Sequence, residues 1–568
     1  MLKKLQIRDF RGIHDRPVIG GFYHSVNMIP VDGGKGLGAI AKITNSEIEG
    51  TLANFTTPVN FTYGRTETKA FVLCDNAYIF SSATGGSDWV ALGNNSGFSN
   101  NMIADQNDSI WVVSDAALKY WTAAAPRVWT DPSYSFTNGD AGVYHPAALV
   151  QAYVLWGDGN IVARIDTSGG GAGSFTASAL TLPPGYVIKS ITQAGYDYRK
   201  ALIAANRNNI GAVFEWDVVS DEPSAIYQFN QAVMSLLNHN NRIFAILSDG
   251  HLYDITSYPP TLLFETPDTG DTDVNTQIQD NTIIVVGGKI YFGSNNSAFN
   301  RKMPGLWCYD LKTNFGYFVS PLASEERYIS STSYGVKALS VPRLGSRRQI
   351  LIGSQQDATG NKGSLDKFNI GSAPTLAAYY ISPIISDEKS ILKGVKFKIN
   401  PWQRADTSKF DVDVLASYYV FDTLLWGYAQ QDGNESVKNK VSIDKSSTDS
   451  GDNPLGAEGD EIMVLNGSNA GYIRRITSVD VSGDPYVYTL DSNMAVNNPT
   501  ETRLFIQKFK KFKIDVTNIT SGDNIFIDCP DHPEFRKLLI KIEIRTTSGQ
   551  PVLSDLDIIY ETISEPLL

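Results

Sequence analysis

Cysteine is nearly missing from this chain of 568 residues. The three present, Cys74, Cys308 and Cys529, are too few and too scattered for a disulfide framework or a cysteine-rich zinc site. Histidine is scarce as well: His14, His24, His145, His239, His251 and His532 include no pair at metal-ligand spacing, so no metal site is expected. No run of about 18 apolar residues occurs, which excludes a membrane-spanning helix. Lys3 and Lys4 are followed by Leu5-Gln6-Ile7-Arg8-Asp9 and not by an apolar stretch, so no secretory leader is expected. Sequons such as Asn54-Phe55-Thr56 and Asn518-Ile519-Thr520 are accordingly read as Asn-rich turns. Positive charge is in deficit, with 48 Lys and Arg against 60 Asp and Glu, a net charge of −12 and a pI near 5.1. That balance argues against wrapping nucleic acid, where Lys and Arg contacts to phosphate dominate.

Motifs that would carry chemistry are also missing. Gly36-Leu37-Gly38-Ala39-Ile40-Ala41 touches a dinucleotide fingerprint, but no βαβ unit surrounds it, and a turn ahead of the first propeller strand is expected. Gly169-Gly170-Gly171-Ala172-Gly173-Ser174 lacks the Gly-Lys-Ser/Thr ending of a phosphate loop and reads as a blade loop. The acidic runs Asp268-Thr269-Gly270-Asp271-Thr272-Asp273 and Asp449-Ser450-Gly451-Asp452 offer oxygens to Ca²⁺, yet neither matches a twelve-residue loop ending in a bidentate Glu; solvated loops are expected. His251, after the turn Ser248-Asp249-Gly250, is read as a hydrogen-bonded edge residue and not a catalytic base. No Ser-x-Asp-x-Gly-x-x-Trp series of the sialidase type occurs. No catalytic, cofactor-binding or metal-ligating residue is therefore assigned, and neither a cofactor nor an enzymatic activity is expected.

What the chain does contain is a repeated phrase: an apolar strand, a tight polar turn, and a second strand ending in an aromatic residue, often followed by Asp. It occurs as Val72-Leu73 to Tyr78-Ile79-Phe80, as Val112-Val113 to Leu118 through Trp121, and as Val154-Leu155-Trp156 to Ile161 through Ile165. Leu202-Ile203-Ala204 leads likewise to Val213 through Asp217, and Ile243 through Leu247 to Leu252-Tyr253-Asp254. The last copies are Ile290-Tyr291-Phe292 to Leu306 through Asp310 and Ile350-Leu351-Ile352 to Leu365 through Phe368. Successive copies lie roughly 40 to 60 residues apart, the length of a four-stranded propeller blade. Trp89, Trp111, Trp156, Trp216 and Trp307 fall at strand ends, where blade-packing side chains are needed.

The expected fold is all-β: a propeller of about seven blades over residues 41–372, then a β-sandwich over 373–430 and 506–568. A small β-rich subdomain, 431–505, is inserted between the two sandwich segments, and residues 1–40 form an extended lead-in that crosses the ring. The sandwich is read from the alternation in Gly394-Val395-Lys396-Phe397-Lys398-Ile399 and in Leu538 through Arg545. A propeller favours binding and scaffolding without proving either.

The opening Leu5 through Ile13, then Val26-Asn27-Met28 and a Gly-rich stretch, resembles the start of a group of tailed-bacteriophage virion proteins. Those begin with a Phe-x-Gly-Ile/Leu segment, an Asn-Val-type pair and a Gly, and continue into a β-propeller. Where they usually carry Arg after the Gly-rich turn, this chain has Ala41-Lys42-Ile43. Gly459 through Ile476, with its Gly-x-x-Ala-Gly turn and Arg-x-Ile ending, resembles a small β module of phage structural proteins. The resemblance implies a non-enzymatic component of the virion tail, made in the bacterial host cytoplasm. Its implied place is a nozzle or adaptor ring, such as a hexamer of itself, that docks portal, tail proteins and fibres and lets the genome pass without specific binding during DNA ejection. The alternative reading is a host-adsorption protein that binds surface glycan through loop aromatics, and the third a propeller glycan hydrolase.

Overall fold

The structure is a computed structural model. It describes residues 2–10, 24–31, 34–39, 43–48, 52–63, 69–83, 88–95, 97–122, 128–139, 144–195, 197–265, 281–294, 305–321, 335–341, 349–355, 363–369, 378–401, 412–420, 426–430, 436–443, 456–464, 473–494, 497, 503–507, 509–512, 524–546 and 551–563.

The described regular elements are strands, and seven four-stranded antiparallel sheets lie along residues 44–369. Blade 1 runs Pro58–Tyr63, Ala70–Cys74, Tyr78–Ser82, Val90–Asn94; blade 2 runs Asn101–Ala104, Ile110–Val113, Ala117–Trp121, Trp129–Ser135. Blade 3 holds Ala147–Val150, Tyr153–Asp158, Ile161–Asp166, Ser174–Thr181, and blade 4 Val187–Gln193, Ala201–Arg207, Ile210–Trp216, Ser224–Phe229. Blade 5 holds Val233–His239, Arg242–Leu247, Leu252–Asp254, Thr261–Phe264, and blade 6 Ile283–Val286, Lys289–Ser294, Gly305–Asp310, Phe315–Pro321. Blade 7 takes Gly335–Ser340, Gln349–Gln355 and Gly363–Asn369 from the end of the propeller, and its outermost strand, Thr44–Ile48, from the beginning. The first strand of each blade neighbours the first strands of the blades before and after it, and blade 7 returns to blade 1. These seven strands are therefore innermost, and the ring is closed by the Thr44–Ile48 ladder.

The seven sequence repeats are the two middle strands of the seven blades. Those strands have a neighbour on both edges and a blade on both faces, so they read as near-continuous apolar runs. Trp111, Trp156, Trp216 and Trp307 are fully buried, and Trp89 nearly so. Burying each such side chain contributes roughly 1.5–3 kcal/mol or more, which makes blade-to-blade packing the main stabilising term.

The C-terminal strands of the expected sandwich are hydrogen-bonded into one curled, branched sheet of eleven strands. Its path is His24–Val26, Ala378–Ile381, Glu534–Thr546, Ile385–Pro401, Pro551–Thr562, Gly36–Ala39, Met28–Val31. Register shifts in the long strand Ile385–Pro401, at Leu392/Gly394 and Lys396/Lys398, supply the bends that curl it. The N-terminal lead-in differs from expectation. Its described strands belong to this sheet: Leu2–Ile7 and Gly36–Ala39 pair with Pro551–Thr562, and His24–Val26 pairs with Ala378–Ile381. Their apolar side chains Ile7, Phe10, Met28 and Leu37 enter the core that the C-terminal strands leave open. Gly36-Leu37-Gly38-Ala39 is thus a strand and not a turn.

The same segment fastens the sheet to blade 6. Asn27 donates its backbone N–H to Val319 O at 2.9 Å, and Ile43 N–H reaches Ser320 Oγ at 3.2 Å. Gly34, at φ +89°, lies so close to blade 6 that a Cβ would stand 2.6 Å from Phe315 Cε2. One apolar core runs from blades 5 to 7 through Phe10 and Met28 into the curled sheet, so propeller and sheet are a single packed body.

The insert is a six-stranded sheet ordered Trp426–Gln430, Arg503–Gln507, Glu461–Val464, Ile473–Asp480, Tyr486–Leu490, Lys440–Ile443. It has its own core of Val441, Ile443, Ile462, Ile476, Tyr488, Leu504 and neighbours.

Candidate docking joint and propeller channel

Among the described residues that hold charge in apolar surroundings, two groups lie where the fold could meet a partner or a ligand. The first joins the insert to the curled sheet. Along Glu534–Thr546, Leu538, Ile540, Ile542 and Ile544 fill one face, and Lys541 and Glu543 occupy the other, yet both are as buried as the aliphatic residues. Lys541 Nζ pairs with Glu461 Oε2 of the insert and stands 3.8 Å from Glu543. Ser417 Oγ donates to Glu461 Oε1 at 3.1 Å, and Arg475 Nη2 approaches the same oxygen at 3.7 Å. The ammonium also lies over the Tyr379 ring, 5.0 Å from its centroid. Two carboxylates balance two cations, which is what burial demands. The cluster fixes how the insert sits and does no chemistry of its own.

The second place is the wall of the central channel. The seven innermost strands carry none of the chain's 60 Asp and Glu residues, but they carry Lys189 in blade 4 and Lys337 in blade 7. Both lysines occupy the same structural position. Four innermost strands slip register one residue after their second residue or so, between Pro58 and Asn60, Ile188 and Ser190, Val233 and Ser235, and Val336 and Ala338. The residues in the bulges are Val59, Lys189, Met234 and Lys337. On the blade 7 strand, Val336 faces blade 6, where a Cβ on Gly293 would meet it, and Ala338 joins the core shared with Phe61 and Val72 of blade 1. Lys337 sits between them, on a strand whose other edge borders the channel. Burial pushes its pKa down to about 8, and no counter-ion opposes the shift.

The residues singled out in the sequence are dispersed. His251 Nδ1 lies 2.8 Å from Asp249 Oδ2 and Nε2 lies 3.3 Å from Glu265 Oε1, at the blade 5 hairpin. The Asp249 hydrogen bond holds the imidazole pKa above its ordinary value. His145 is buried with Nδ1 2.7 Å from Gly157 O and Nε2 3.1 Å from Asp115 O, its ring stacked on Phe136, wedged between blades 2 and 3. His239 ends the innermost strand of blade 5, and His532 follows Cys529 in a turn. His14 and the acidic runs 268–273 and 449–452 lie outside the described residues. Residues 169–173 form the turn between the third and fourth strands of blade 3, with Gly170, Gly171 and Gly173 at positive φ. Burial raises the thiols of Cys74, Cys308 and Cys529 to about 12 each.

Neither Lys541 nor Lys337 stands out in the sequence. Lys541 alternates with isoleucines as a solvent-facing residue would, and Lys189 and Lys337 are single charges in apolar strands. Their surroundings come from strands distant in the chain.

No protein-family model and no curated protein matches this chain. Among solved structures, Raptor from Chaetomium thermophilum aligns at 13% identity and a TM-score of 0.40 over 57% of this chain and 29% of its own. A catalytically inactive virginiamycin B lyase from Staphylococcus aureus, with quinupristin, aligns at 13% identity and a TM-score of 0.38 over 58% of this chain and 98% of its own. The computationally designed protein Ika8 aligns at 10% identity and a TM-score of 0.36 over 58% and 100%. At these scores the likeness carries no functional argument.

Proposed function

We propose that the protein is a non-enzymatic structural component of a tailed-phage virion, placed in the tail as a nozzle or adaptor subunit. The observation that carries this reading is the use made of the phage-like N-terminal residues. Phe10 packs edge-to-face on Tyr380 at 5.4 Å, and Asn27, at φ +55°, bonds to blade 6, so these residues lock propeller and curled sheet into one body. A rigid subunit of this kind transmits position from one neighbour to the next, which a ring in a tail requires. The insert, with a core of its own, is the part available for docking fibres or neighbouring subunits. In such a ring the net charge of −12 repels DNA along the bore between subunits, so the genome slides through.

Cryo-electron microscopy of the virion that carries this protein tests the reading. A six- or twelve-fold ring on the tail axis is expected; density confined to the periphery or distal tip overturns the nozzle role. A second test removes residues 426–507 together with Lys541→Met and Glu543→Gln, which spares the sheet a buried charge without its partner. The propeller is expected to fold, and assembly or fibre attachment to fail.

One observation favours the glycan-binding alternative. Tyr258 is 81% exposed and its ring is held parallel to Tyr227, centroids 6.3 Å apart, which presents an ordered aromatic face to solvent. Aromatic faces of this kind stack on sugar rings. A glycan array probed with the isolated protein and with Tyr258→Ala decides it: signal lost in the variant supports adsorption, and a blank array for both removes it.

A further inference from the structure

We infer that the central channel of the propeller is a binding site for a small phosphate-type oxyanion, anchored by Lys337 of blade 7 and faced by Lys189 of blade 4. This goes beyond the tail role and does not depend on it.

The inference rests on where charge is and is not. In a chain with 60 Asp and Glu, the seven strands that line the channel hold no carboxylate and two lysines. Neither lysine has a hydrogen-bond, ion-pair or electrostatic partner among the described residues. Lys541, fully buried at the insert joint, is flanked by carboxylates; the half-buried channel lysines have no such neighbour among the described residues.

Position is the second observation. Both lysines fill the bulge of an innermost strand, and each is the third residue of its strand. Blades 4 and 7 are as far apart as a seven-membered ring allows, so the two strands that carry the lysines border the channel from nearly opposite sides. The other bulged residues, Val59 and Met234, are apolar, and so are Ile103, Leu149 and Ile284 on the remaining innermost strands. An apolar wall with a low effective dielectric strengthens attraction for an anion that enters. A bulge also leaves backbone groups outside the ladder, here on strand edges that no further strand covers.

Energetics select the ligand class. A desolvated ammonium without an acceptor is costly, and the cost is relieved either by losing the proton or by gaining an anion. Three faces of a phosphate accept hydrogen bonds, so it satisfies an ammonium and neighbouring N–H groups together; a lysine binds such a group as a point charge.

The test uses the full chain with pyrophosphate as probe, followed by isothermal titration calorimetry at low salt. The wild type is expected to bind, Lys337→Met to bind about tenfold more weakly or worse, and the double variant with Lys189→Met not at all. Lys337→Met replaces an unpaired amine with an apolar side chain of similar length, so it is expected to fold and to melt no lower than wild type. In ¹³C-methylated wild-type protein, the lysine resonance that Lys337→Met removes is expected to titrate at higher pH when pyrophosphate is present. Wild type that does not bind, affinity unchanged in both variants, or a Lys337 titration unmoved by pyrophosphate each overturn the proposal.

Discussion

Replacing Lys541 by Met removes a fully buried cation of the insert joint while keeping most of its volume. Cutting one partner from a buried pair costs about 3–5 kcal/mol, because the abandoned charge stays desolvated. Here Glu461 keeps Ser417 Oγ at 3.1 Å and Arg475 at 3.7 Å, whereas Glu543 loses its one described cation. The loss therefore belongs at the low end, about 3 kcal/mol. For a chain of 568 residues, whose unfolding entropy is about 2 cal/mol/K per residue, that corresponds to a fall in Tm of roughly 2–4 °C. Differential scanning calorimetry follows the transition, and urea titration by near-ultraviolet circular dichroism gives the free energy. Adding Glu543→Gln neutralises the stranded carboxylate, so the double variant is expected to recover about 1 kcal/mol or more of coupling. If Lys541→Met unfolds within about 0.5 kcal/mol of wild type, the cluster does not hold the insert as argued.

Gly34→Ala forces a side chain into left-handed backbone and against Phe315, so it is expected to destabilise the propeller–sheet junction by roughly 1–3 kcal/mol, read as a lower urea midpoint. His251 has a folded-state pKa above its unfolded value of 6.5, so the stability it adds is complete below that pH and is lost as pH rises through the folded value. His251→Gln is expected to flatten the part of the pH–stability curve that lies just above pH 6.5; a slope equal to wild type would sink the assignment. The three buried thiols, raised to about 12, are expected to resist iodoacetamide at pH 8 in the native protein and to react in denaturant. Labelling of native Cys74 would show that blade 1 opens locally.

The propeller was legible because its central strands bury both faces. A strand such as Ile243–Leu247, turning at Ser248-Asp249-Gly250 into Leu252–Asp254, shows its state within a dozen residues, and seven such hairpins at blade spacing admit few other folds. Residues 24–39 were not legible in the same way. His24–Val26, Met28–Val31 and Gly36–Ala39 are three or four residues each, too short to carry a pattern, and they become strands because Pro551–Thr562, Ala378–Ile381 and blade 6 present edges to them. The single curled sheet was likewise hidden, since a bulge at Lys396/Lys398 leaves the alternation of Gly394 through Ile399 unchanged to the eye.

The sequence by itself therefore determined the all-β class, the seven hairpins, the insert and the acidic balance, all of which follow from local periodicity, turn residues and composition. Tertiary structure alone decided which charges matter. Lys541 is one of four basic residues of its strand, and Lys189 is the one charge of its own. The first is paired because Glu461, 80 residues away, is folded onto it, and the second stands on a strand that borders the channel because the ring closes around it. Burial and partnership are properties of surroundings assembled from distant segments, and no window along the chain contains them.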